Sequence, residues 1–270
     1  MSSNYVEDDG GGLLGDYLSS ETLIPCAGAI VGILACKMVY DLSQMISEAQ
    51  FKSYFGLSSM QKVEWNNRAI STFHALFITI WSVYFVFWSD LYDVNVLTTA
   101  VTFRSSPAST FGLAVSSGYF LTDLAMILWF YPSLGGMEYV VHHLLSMSAV
   151  TYAMLTREGQ LYTFMVLISE TTTPSMNLRW YLDSAGLKKS RVYLVNGFVM
   201  FLAWLVARII LFIYVFYHIY LHYNEIMQMQ KVGICLVLVA PCVIYVLNLI
   251  WFGKISRGLK KTLTTKKRRD

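Results

Sequence analysis

Two adjacent histidines, His142 and His143, lie inside an apolar stretch long enough to cross a bilayer, and other ionisable residues recur at comparable depth in neighbouring stretches. The most informative of these are His74, Asp123 and Glu170. An ionisable side chain in hydrocarbon costs several kcal/mol, so such residues usually face a bundle interior and mark a pathway or a site. An imidazole both accepts and returns a proton near neutral pH, which suits general acid–base work. A carboxylate at the depth of Asp123 or Glu170 can orient an imidazole and stabilise an imidazolium, the arrangement of a nucleophilic or general-base relay. The same residue types also build polar clamps between helices, and a single buried histidine such as His74 is often a structural hydrogen-bonding group.

Spacing gathers further residues around these five. Asn67, Ser71 and His74 are separated by four and three, so they share one helical face. Tyr119 and Asp123 are one turn apart, as are Glu138 and His142. His142 and His143 differ by about 100° in direction and can line one cavity from adjacent sides. They are also potential metal ligands, but adjacent histidines lack the facing geometry of i,i+4 spacing, and no metal site is read here. His218 and His222 have that spacing, yet Tyr217, Tyr220 and Tyr223 beside them read as an interfacial aromatic belt. In the segment SETTTPSMNLRW, Glu170, Thr173 and Asn177 form a polar stripe. Pro174 cannot donate a backbone hydrogen bond and loosens the carbonyl at Glu170, and such a break is tolerated at membrane depth only against protein or a wet cavity. Arg179 can snorkel or bind a headgroup or phosphate. The expectation is one interior cavity. His142, His143, Asp123, Glu170 and His74 are the candidates for chemistry there, and Asn67, Ser71, Tyr119, Thr173, Asn177 and Arg179 for binding substrate. A developing oxyanion would be met by Asn177, a threonine or His74.

The elements that must position these residues are membrane helices. The chain of 270 residues is 56% hydrophobic and only 14% charged, against about 25% charged in soluble domains, and its mean hydropathy is +0.50. The expected fold class is therefore an all-α, polytopic membrane helix bundle of about seven spans, at residues 22–40, 69–88, 111–131, 138–155, 161–180, 192–217 and 231–252. The fourth is short and the fifth is interrupted by Pro174, so a six-span arrangement with one re-entrant segment is the alternative. Lys and Arg concentrate in the loops after the first and fifth spans and in the tail. This places the N-terminus in the lumen and the C-terminus in the cytosol. The organisation expected is a luminal acidic tail at 1–21, the first span with a cytosolic linker at 22–58, a membrane domain at 59–256 and a basic cytosolic tail at 257–270. The first residues lack the basic start of a signal peptide. The tail's charge is accounted for by anionic headgroups, so membrane lipids or acyl chains are the expected partners and nucleic acid is not. A homo-oligomer is left open. Lys267 and Arg268 stand where dibasic endoplasmic-reticulum retrieval signals occur. The four cysteines, Cys26, Cys36, Cys235 and Cys242, read as small buried hydrophobes with neither redox nor metal roles.

Four motifs, EWNNRAISTFHA around His74, GYFLTDLAM around Asp123, the His142–His143 pair and SETTTPSMNLRW around Glu170, together resemble the TLC family of translocating-chain-associated proteins, Lag1-type ceramide synthases and CLN8. The resemblance covers roughly 59–256. It implies an intramembrane acyl-transfer site in which His142 and His143 are nucleophile or general base and acyl-CoA is the co-substrate, with no resident cofactor. Counting on from His142, the ceramide-synthase His–Asp and Ser–Asp positions fall on Ser169–Glu170 and Thr172–Thr173, and a later family glutamate falls on Asn177. One acidic position is thus kept as glutamate and another is lost, which argues against ceramide synthesis itself. The resemblance to the smaller members of the family implies membrane-lipid homeostasis, catalytic or by lipid binding, sensing or transport.

Overall fold

A computed structural model of the chain describes residues 20–93 and 99–267. The acidic segment 1–19 and Arg268 lie outside them. Among the described residues there is no strand, and seven helical rods form the molecule. The first is α1 (Ser20–Gln50), followed by the short α2 (Lys52–Phe55) and then α3 (Ser59–Phe87). After the loop come α4 (Pro107–Trp129) and α5 (Met137–Thr156). The fifth rod is composite: α6 (Gln160–Leu167), a 3-10 segment Ile168–Thr172, and α7 (Thr173–Ser184). The sixth is composite as well, with α8 (Arg191–Trp204), a π-helical segment Leu205–Ile210 and α9 (Leu211–Leu221). The one-turn α10 (Tyr223–Ile226) leads into α11 (Lys231–Lys267).

Local chemistry sets several of these boundaries. Ser58 accepts from the Gln61 backbone N–H while the Gln61 side chain accepts from the Ser58 N–H, a reciprocal cap at the start of α3. Ser106 and Ser109 do the same for α4, with Pro107 in its first turn. Between α5 and α6 the chain reverses through Arg157 and Gly159, with φ of 64° and 68°. Pro174 sits in the first turn of α7 rather than kinking a continuous helix. The missing donor is absorbed because the rod tightens to 3-10 geometry immediately before it.

Packing follows from small residues and aromatics. α1 lies against α4 at backbone distance, so a Cβ placed on Gly32 would stand 2.2 Å from the Val115 carbonyl oxygen and one on Gly118 would stand 2.2 Å from that of Ala29. At one end of the bundle Tyr181 donates to the Trp65 carbonyl at 2.7 Å and the two rings meet edge-on at 4.5 Å, fixing α7 to α3. Large apolar residues such as Ile30, Leu34, Val195, Phe198 and Val246 are exposed on the outside, as expected where lipid is the solvent.

Five of the rods are long and apolar enough to cross a membrane: Thr22–Gln50, Ser59–Phe87, Pro107–Trp129, Arg191–Leu221 and Lys231–Lys261. The expected fourth and fifth spans exist as helices but do not meet that standard. α5 is too polar, and α6 and α7 are each too short on their own. The cysteine expectation is corrected too: Cys36 is buried, but Cys26, Cys235 and Cys242 are exposed, and all four are free thiols. Their helices turn those positions outward, where a small apolar side chain is at home in lipid.

Candidate functional site

A cavity of about 380 Å³ opens among the ends of α3, α4 and α5, the 3-10 segment, α7, the π-helical segment and α11. This is within the size range of small-molecule sites. Its walls include Asn67, Ser71, Tyr119, Asp123, His142, His143, Glu170, Thr173 and Asn177, nine of the eleven candidates.

Asp123 is the centre of one polar group. It is 4% exposed. Oδ1 accepts from the Asn67 amide at 2.9 Å, and Oδ2 stands 3.2 Å from Nδ1 of His143. That last contact is close enough for an ion pair, yet the ring N–H is not aimed along a hydrogen bond. It is a close approach of carboxylate and ring rather than a formed hydrogen bond. The His142 ring lies 5.4 Å from that of His143, and its Nδ1 is buried without a partner among the described residues. On its other side it meets the Trp251 ring at 5.6 Å.

Glu170 belongs to a second group. Thr173 donates to its Oε2 at 2.8 Å, and the buried guanidinium of Arg208 stands 3.4 Å from its Oε1. Arg208 also donates to Thr172 at 2.8 Å and to the Asn248 side-chain carbonyl at 3.1 Å, and it lies over the Trp204 ring at 4.6 Å. Glu170 is therefore an anchor for arginine, whereas Asp123 is the carboxylate that meets an imidazole.

Other candidates take structural places. Asn177 donates to Ser71, Thr72 and the Arg68 carbonyl and accepts from the Arg68 guanidinium, locking α7 onto α3. His74 stands behind the cavity wall. It stacks on Tyr119 with 3.7 Å between ring centres and reaches Ser116 at 3.1 Å. Arg179 lies away from the cavity, over the Tyr193 ring at 4.0 Å. Glu138 faces Lys254 at 3.8 Å rather than His142. His218 and His222 stack at 4.2 Å, and no cluster of three or more metal-ligating residues occurs among the described residues. The residues that sequence reasoning missed are Arg208, Asn248, Trp204 and Trp251. An arginine between Ala207 and Ile209 was a signal of the same kind as Asp123.

Fold and site together define a multi-pass membrane protein, an all-helical bundle with an acid–imidazole cavity enclosed by its rods. Residues 64–257 match the family described as TLC domain, and the chain belongs to that family. It is 28% identical to TLC domain-containing protein 4-B of Xenopus laevis over 233 residues, covering 82% of this chain and 84% of that protein. It is 27% identical to TLC domain-containing protein 4 of Homo sapiens over 238 residues, covering 84% and 86%. With TLC domain-containing protein 4 A of Dictyostelium discoideum the identity is 25% over 213 residues, covering 78% and 80%. No solved structure matches the chain.

Proposed function

We propose that this protein serves membrane-lipid homeostasis in the endoplasmic reticulum by transferring an acyl group from acyl-CoA to a lipid acceptor inside the cavity. The carrying observation is the meeting of Asp123 with His143 in a cavity that also holds His142. In this reading the acceptor's amine or hydroxyl attacks the thioester carbonyl and its proton passes to an imidazole, with His143 the first choice because Asp123 stabilises the imidazolium. The C–S bond then breaks, the proton is returned to the departing thiolate, and the products are an acylated lipid and free CoA. Asn67 holds Asp123 in place, and Tyr119 and Phe120 supply apolar wall. With the N-terminus luminal and the basic tail cytosolic, the cavity end of the bundle faces the cytosol, where acyl-CoA is supplied.

The test is turnover by purified protein in liposomes, followed as acyl-CoA consumption matched to a new acylated lipid across sphingoid and glycerolipid acceptors. His143→Ala is expected to lower turnover by about 100-fold or more with thermal stability retained. Unchanged turnover in the His142→Ala/His143→Ala variant, or no acylated product from wild type, would reject transfer. One observation favours a second reading, in which the cavity binds or delivers lipid without reacting: His143 and Asp123 are close but not aligned for a hydrogen bond. Lipid retention by wild type without product formation would establish it.

A further inference from the structure

Acyl transfer needs a donor for the carbonyl oxygen on which negative charge develops, and the groups that sequence alone suggests for that role are already committed. The Asn177 amide donates to three oxygens on α3, Thr173 donates to Glu170, Thr172 donates to the Ser169 carbonyl, and His74 stands behind Tyr119. Arg208 is different. A guanidinium carries five N–H donors, and three of them go to Thr172, Asn248 and Glu170. The Glu170 contact, at 3.4 Å, is long for a charge-assisted bond. The side chain is 2% exposed, lines the cavity and is delivered to it by the π-helical segment Leu205–Ile210. Such bulges recur at functional sites because they re-aim a side chain within a helix.

We propose that Arg208 binds the carbonyl oxygen of the acyl group, with Glu170, Thr172 and Asn248 holding the guanidinium in position. This rests on the acyl-transfer reading for its chemistry but not for its test. Three carboxylates (Glu64, Asp123, Glu170) and two guanidiniums (Arg68, Arg208) line the cavity. Arg208 already faces Glu170, so an uncharged ester or thioester carbonyl suits it better than a fatty-acid anion, which would crowd a second carboxylate beside the first. The aromatic rings of Trp204 and Trp251 meet edge-on at 6.2 Å between Arg208 and His142, placing an apolar surface beside the group the guanidinium receives.

The experiment compares ligands that differ only in the carbonyl, bound to the full chain in lipid nanodiscs. Palmitoyl-CoA is set against S-hexadecyl-CoA for the thioester source, and methyl palmitate against hexadecyl methyl ether for the ester source. Wild type should favour the carbonyl member of at least one pair by about 10-fold or more. Arg208→Gln/Glu170→Gln, which removes both charges together, should abolish that preference while binding the ether or thioether as before. Arg208→Lys, which keeps a charge opposite Glu170 but loses the planar fork, should reduce it and serves if the paired variant does not fold. Preference in the ester pair alone would uphold Arg208 and remove acyl-CoA from the proposed function. No preference in either wild-type pair, or a preference unchanged in the variants, overturns the role of Arg208 and leaves histidine-dependent transfer to its own assay.

Discussion

At the scale of single residues two of the three carboxylates lining the cavity, Asp123 and Glu170, have different work, and substitutions should separate them. Asp123→Asn keeps the shape and the Asn67 contact but removes the charge facing His143. Turnover should fall by about 100-fold with little change in thermal unfolding. Glu170→Gln leaves Arg208 buried opposite a neutral group, so its effect belongs to stability. A loss of about 3 kcal/mol is expected for it and for Arg208→Gln, with the paired Arg208→Gln/Glu170→Gln variant costing much less than the two together. Unfolding of all three in one detergent checks this, and simple additivity would show that the pair is not coupled. Asp123, Glu170 and the histidine pair were legible in the sequence because any charge in an apolar run stands out. Arg208 gave the same signal and was passed over, and the pairings were hidden: spacing fixes a face on one helix, whereas the pairing of Glu170 with Arg208 depends on the π-helical segment that delivers Arg208 to it.

At the scale of elements the tightest joint is that of α1 with α4. Gly32 and Gly118 each face a backbone carbonyl so closely that any side chain must force the helices apart. Gly118→Val is expected to cost about 1–3 kcal/mol or more by overpacking, whereas Gly258→Val, which has nothing within 4 Å of the added carbon, should pass almost unnoticed. Thermal unfolding of the two variants checks the contrast, and equal effects would refute the close joint. The joint is informative because the whole of α1 precedes the family match at 64–257. The rods themselves were legible from apolar runs. The shift to 3-10 geometry at Ile168–Thr172 was visible only as the proline after it, since a break can be absorbed by a kink, a bulge or a tighter turn with the same residues. The outward-facing cysteines were misread because in a membrane an apolar residue is as content outside the bundle as within it.

At the scale of the whole molecule, the charge asymmetry of the loops predicts a luminal N-terminus and a cytosolic C-terminus. Acceptor sites for N-glycosylation, inserted near residue 5 and after residue 270, should be modified only at the first. Modification at both or at neither would mean an even number of crossings. The two rods that fall short of the apolar standard, α5 and the composite α6–α7, carry His142, His143, Glu170 and Asn177. The polar content that makes a site is the same content that weakens a span, which is why sequence located the centre more surely than it counted the crossings.

That feature bears on how the chain is made. A strongly apolar helix can settle into lipid as it leaves the ribosome, but α5 emerges with two histidines and a glutamate that hydrocarbon disfavours. Glu170 in the next rod waits for Arg208, synthesised nearly forty residues later. Variants that break that pair should be scarce in cells before they are inactive, because an incompletely inserted chain is a substrate for quality control. Steady-state abundance of Arg208→Gln relative to Gly258→Val in intact cells would show it, and equal abundance would mean that the chain inserts without this pairing.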